Sequence, residues 1–156
     1  CRYHQLPDCV DLARAFPGTT MILNHIGGIT GVGAYAGRRE EIFAAWREGM
    51  ADLATCPNVV VKLGGLATGY CGFGWYEAPK PPTSQEMCDA TRPYYETAIE
   101  LFGPDRCMFE SNFPVDKMGC SYGVVWNSFK RITRSYSAGE KAALYHDTAA
   151  RIYRLG

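Results

Sequence analysis

Four residues stand where their side chains can do chemistry. His25 closes the apolar run at 20–25 (TMILNH), just ahead of Gly27 and Gly28. Lys62 interrupts the apolar run Val59–Leu63 (VVVKL), and Glu110 and Asn112 lie two apart in the run at 106–112 (RCMFESN). A histidine at the end of a strand can activate water or polarise a carbonyl. Side chains two apart in a strand share a face, so Glu110 and Asn112 point the same way. That makes Glu110 a candidate acid or base, and Asn112 a candidate hydrogen-bonding group for substrate or water. Lys62 and Glu110 both fill positions where apolar residues are expected. A buried charge is costly unless paired, so the two are expected within ion-pair reach on neighbouring strands. His4, Lys62, Tyr70 and Trp75 are the candidate substrate-binding residues. Tyr70 and Trp75 belong to a glycine- and proline-rich loop at 67–82, where they can stack on a ring. His146 falls in the last helical stretch and reads as structural.

The elements that must position these groups alternate between helix and strand. Residues 7–16 form a short helical stretch, stopped by Pro17 and Gly18. Strand 20–25 follows, then a glycine-rich loop at 27–37 and a helix over 38–55 whose Ile42, Phe43, Trp46, Met50 and Leu53 recur at helical spacing. Strand Val59–Leu63 ends at Gly64 and Gly65. Thr83 to Glu86 has capping-box spacing and opens a helix to Phe102, which Pro93 should kink or divide. Strand 106–112 is halted by Pro114, and helices over 122–135 and 137–155 close the chain. The opening CRYHQL reads as the tail of a further strand with His4 at its end. Strands separated this regularly by helices imply a parallel sheet, and ligands bind at the C-terminal ends of such strands.

Composition narrows the partners. Lysine plus arginine and aspartate plus glutamate number 16 each, so neither nucleic acid nor an anionic membrane is the expected partner. No apolar run approaches the roughly 20 residues that span a bilayer. Seven scattered cysteines lack metal-ligand spacing and read as reduced, as in the cytoplasm. Gly31 to Ala36 matches G-x-G-x-x-A, but the preceding strand ends six residues early and no acidic residue closes the next strand, so a dinucleotide site is not expected.

Taken together and in order, LNHIGG, NVVVKLGGL and RCMFESNFPVDK resemble the amidohydrolase-related (amidohydrolase 2) family of TIM-barrel hydrolases. The resemblance extends to the closing YHDTAARIYRL helix. It implies an α/β fold, namely the C-terminal half of a (β/α)8 barrel, with His4 ending strand five, His25 ending strand six, Lys62 in strand seven and Asn112 ending strand eight. Residues 1–156 are then expected to be a partial domain lacking its N-terminal half, completed by that half or by self-association of the exposed sheet edges. The branch most resembled contains lactonases for sugar acids and for intermediates of aromatic degradation. The implied activity is therefore opening of a lactone or ester of a small organic acid. Rival readings are a metal-dependent decarboxylase or C–N hydrolase of the same superfamily, and a non-catalytic assembly subunit. The family implies a divalent metal such as zinc in the longer parent. Here, however, the strand-eight aspartate is replaced by Asn112, whose amide is a poor ligand and argues against one. Glu110 stands where the family has glycine and is the candidate substitute acid.

Overall fold

The computed structural model describes residues 1–155. Three parallel strands form one sheet in the order β1 (Met21–Leu23), β2 (Val59–Leu63), β3 (Cys107–Phe109). Met21 pairs with Val59 and Leu23 with Val61; Val61 pairs with Cys107 and Leu63 with Phe109. The helices are α1 (Leu6–Ala15), α2 (Arg39–Ala54), α3 (Ser84–Phe102), α4 (Tyr122–Ile132), α5 (Ala138–Ala142) and α6 (Thr148–Tyr153). A π turn, Ala143–Asp147, joins the last two.

The pleat decides which strand residues meet the helices. Leu23, Val59, Val61, Leu63, Cys107 and Phe109 pack into one core with Trp46, Tyr94, Tyr95 and Phe129. By alternation Ile22, Val60, Lys62 and Met108 share the opposite face. Local chemistry sets the boundaries. Thr83 and Glu86 form the expected capping box, Thr83 Oγ1 accepting from the Glu86 amide and Glu86 Oε2 from the Thr83 amide. Ser137 and Glu140 do the same for α5. Asn58 turns its amide onto the carbonyls of Ala13, Phe16 and Thr19, tying the end of α1 to the start of β2. No helix among the described residues is long and apolar enough to cross a membrane.

Several expectations need correction. The opening segment is not a strand: Tyr3–Gln5 is a 3-10 turn running directly into α1, because Gln5 accepts from the Arg2 amide and Pro7 starts the helix. The first strand stops at Leu23, since His25 and Ile26 take left-handed backbone angles with φ of 51° and 49°. The third strand proper is confined to Cys107–Phe109, although the Glu110 amide still donates to the Leu63 carbonyl. Pro93 does not divide α3, which runs through it as one element. The expected closing helix over 137–155 is interrupted by its π turn.

Arg106 ties the far end of the sheet together. Its guanidinium donates to the carbonyls of Phe102 (2.9 Å), Cys56 (3.0 Å) and Ala54 (3.1 Å), the C-terminal regions of α3 and α2. A cation suits the negative end of a helix dipole. Arg106→Met is expected to lower stability by about 1.5–3 kcal/mol, the usual range for hydrogen bonds to a charged group. Urea unfolding measures this, and an unchanged midpoint would show that water replaces all three bonds.

Candidate active site

Each strand delivers one group to the same end of the sheet. After β1 the chain turns left-handed at His25 and Ile26, and the buried indole of Trp46 anchors that turn by donating to the Ile26 carbonyl at 2.8 Å. His25 Nδ1 then lies 2.7 Å from Glu110 Oε1, and the His25 backbone amide donates to the same oxygen at 3.3 Å. Lys62, the one charged residue of β2, places Nζ 2.7 Å from Glu110 Oε2. One carboxylate therefore bridges an imidazole and an ammonium. Gly64 and Gly65 permit the approach: a Cβ on Gly64 would sit 2.3 Å from the Glu110 carbonyl oxygen, and one on Gly65 would sit 2.9 Å from the His25 ring.

The electrostatics are mutually consistent. Burial pushes Glu110 toward protonation, but the hydrogen bonds from His25 and Lys62 outweigh it and hold the carboxyl below its ordinary value. Burial likewise opposes the charge on Lys62, and its bond to Glu110 reverses this, leaving the ammonium above its ordinary value. The His25 side chain is 36% exposed, against 24% for Lys62 and 13% for Glu110, so the imidazole is the most exposed of the three. In the neutral imidazole, an Nδ1–H given to the carboxylate leaves the lone pair on Nε2.

Of the expected site residues, the structure brings together His25, Lys62 and Glu110. Asn112 makes no hydrogen bond to those three: with a left-handed φ of 53°, it donates from Nδ2 to Asp116 Oδ1 at 2.7 Å. Asp116 was not foreseen. It is buried, takes a further bond from the Ala67 amide at 3.3 Å, and so clips the turn after β3 to the loop after β2. Burial drives its carboxyl up, against the bonds from Asn112 and Ala67, to about 6. The only sequence signal was an amide four residues ahead of an acid. His4 lies outside the cluster, exposed and stacked on Tyr35 with ring centroids 6.5 Å apart. Tyr70 lies under the Arg2 guanidinium at 4.3 Å. Trp75 stacks on Phe73 at 4.6 Å and, with Tyr76, Phe113, Lys117 and Tyr122, lines a cleft of about 580 Å³ between the loops after β2 and β3.

The donor set does not by itself fit a metal. Among the described residues no three His, Cys, Asp or Glu side chains converge on one point. Both Glu110 oxygens are already engaged by cationic or N–H donors, and Asn112 spends an N–H on Asp116. His25 Nε2 is the one metal-type donor atom of the cluster without a partner.

Residues 1–155 match the amidohydrolase family. An uncharacterised protein, y4mH of Sinorhizobium fredii, is 43% identical over 154 residues, covering 98% of this chain and 45% of its own length. An L-fucono-1,5-lactonase of Burkholderia multivorans is 34% identical over 152 residues, covering 97% of this chain and 48% of its own. The crystal structure of an amidohydrolase from Burkholderia multivorans with bound zinc superposes with a TM-score of 0.84 at 29% identity, covering all of this chain and 51% of that one. The chain thus spans about half the length of the relatives it matches, and its three parallel strands with their helices correspond to half of an amidohydrolase TIM barrel.

Two titrations follow. Because Glu110 is held below its ordinary value of 4.5, it contributes stability above that pH, and the contribution is lost as pH falls through the folded value. Lys62→Met is therefore expected to lower the urea midpoint at pH 7, with the deficit shrinking below about pH 4.5. A deficit constant across pH would mean that Lys62 acts by packing alone. Asp116 has the opposite sign. The folded chain keeps its proton up to about pH 6, whereas the unfolded chain releases it near 3.8, so stability is lost as pH rises between those values. Asp116→Asn should remove that loss, and parallel stability curves for the two proteins between pH 4 and 6 would contradict it.

Proposed function

The chain belongs to the amidohydrolase family, and from that premise we propose that the protein carrying it opens a lactone or ester of a small organic acid or sugar acid. The observation that carries this reading is the Glu110 carboxylate held between His25 Nδ1 and Lys62 Nζ, 2.7 Å from each. Glu110 keeps the proton on Nδ1, so Nε2 takes a proton from water as that water attacks the lactone carbonyl. The imidazolium so formed rests against a carboxylate that stays ionised because Lys62 neutralises it. As the tetrahedral centre collapses, Nε2–H returns the proton to the departing ring oxygen, giving a hydroxy acid. Asn112 keeps one amide N–H and its carbonyl oxygen for water or substrate. The cleft of Trp75, Tyr76, Phe113 and Tyr122 offers aromatic faces to a ring. The relatives support the choice of substrate class, since two of them are L-fucono-1,5-lactonases.

An ion pair that only fixed strand register would account for Lys62 and Glu110, but not for an accessible imidazole held by one nitrogen. The test uses the complete protein. His25→Asn keeps a residue that tolerates the left-handed backbone and removes the base. Turnover of 1,5-lactones is expected to fall by two to four powers of ten, about the usual yield of a positioned general base. The urea midpoint should stay nearly unchanged. Full turnover in this variant would remove His25 from the chemistry and leave the cluster a structural ion pair.

A further inference from the structure

Behind the loops that follow β1 and β2 lies a cavity of about 240 Å³ that none of His25, Lys62 or Glu110 lines. Its walls include Thr30, Arg39, Ile42 and Tyr94, and its rim includes Gly31 and Gly72. We propose that this cavity is a second small-molecule site, for a short-chain carboxylate, in which Arg39 and Tyr94 hold the anion.

Four observations support the assignment. Tyr94 is only 3% exposed and lines the cavity, and its hydroxyl has no hydrogen-bond partner among the described residues, so the phenol is an unspent donor in the cavity wall. Arg39 is fixed rather than waving: its guanidinium lies 4.2 Å over the Phe73 ring and gives one N–H to the Gly72 carbonyl at 2.8 Å. A guanidinium has five N–H donors, so several remain for a ligand. Arg39 also begins α2, a helix of 16 residues whose first turn has no side-chain cap, and that positive end opens on the same cavity. No carboxylate of the described residues lines the cavity. Of the two acids in the first turn, Glu41 is already taken by Arg38, whose Nε donates to it at 2.9 Å.

Size and shape limit the ligand. The volume is below the ~300–1,000 Å³ of drug-sized pockets, so the acid has only a few carbons. Ile29 and Ile42 give the alkyl part an apolar floor, and Thr30 offers a hydroxyl on the polar side. The two loops are locked together at the rim: a Cβ on Gly31 would meet the Cys71 carbonyl oxygen at 2.5 Å, and one on Gly72 would meet the Gly31 carbonyl oxygen at 2.3 Å. The Gly31 amide donates to the Tyr70 carbonyl at 2.8 Å, so the cavity is preformed. The assignment stands on these residues and not on the reading of His25.

Binding to the complete protein is measured by following backbone amides in heteronuclear NMR during titration with acetate, with acetamide as the neutral isostere and inorganic phosphate as the competing oxyanion. Saturable acetate shifts at Gly31, Gly37, Glu40 and Gly72, with none from acetamide, are the expected result. Arg39→Gln should weaken acetate binding about tenfold or more, and Tyr94→Phe by about two- to tenfold, as loss of a charged and a neutral hydrogen bond implies. Equal shifts with acetamide, or an unchanged affinity in Arg39→Gln, would overturn the site. An unchanged affinity in Tyr94→Phe would overturn the part given to the phenol. Phosphate binding tenfold tighter than acetate would overturn the carboxylate assignment.

Discussion

The Glu110 carboxylate, with an imidazole on one oxygen and an ammonium on the other, is the interaction on which the arrangement of this end of the sheet depends. It joins three strands that are far apart in sequence, and each must arrive in the right register. Lys62 pairs with Met108 across the β2–β3 ladder, and Glu110 follows two residues later on the same face. A slip of one residue in either strand would send one of the two charges into the helix-facing core beside Phe129 and Tyr95. There it would have no partner. The register is thus enforced from both faces of the sheet, by apolar packing on one side and by charge pairing on the other.

Such a buried pair is weak evidence of net stability, because removing two ions from water costs about what their attraction returns. It is better evidence of specificity and of a prepared site. The neighbouring glycines make the same point sterically. Gly64 and Gly65 follow β2 where any side chain would collide with Glu110 or His25. Gly119 lies against the Ala67 carbonyl, where a Cβ would be 2.4 Å from the oxygen. Backbone is packed on backbone around the charged groups, which leaves little room for the groups to relax away from one another.

Much of this was legible in sequence where a periodic pattern carried it. The helical spacing of Ile42, Trp46, Met50 and Leu53, the capping box at Thr83, and two charges breaking otherwise apolar strands all translated into the observed elements and into the Lys62–Glu110 pair. Features that depend on non-repeating backbone were not legible. The left-handed turn at His25 shortens its strand and also swings Nδ1 onto Glu110; histidine enters that conformation more readily than most residues, but the β-branched Ile26 rarely does, and nothing in the pattern marks the turn. The opening segment looked like a strand because strand context was expected there, whereas a local bond from the Arg2 amide to Gln5 makes it a turn. Asp116 sits in a loop where an acid normally faces water, and only the folded loop after β2 buries it.

Asp116 also explains why an amide at position 112 is compatible with an ordered site. A carboxylate in place of Asn112 would stand 2.7 Å from another carboxylate in a buried setting, and the two could not both ionise. The amide donates instead, and its partner oxygen accepts. The second Asp116 oxygen reaches the Ala67 amide, so the turn that carries Glu110 and Asn112 is pinned to the loop that carries Tyr70 and Trp75. The aromatic loop is therefore placed by the same chain of hydrogen bonds that begins beside Glu110. Charge pairing inside the sheet and amide–carboxylate pairing above it are two consecutive links: the first sets where His25 points, and the second sets where the loop carrying Tyr70 and Trp75 lies.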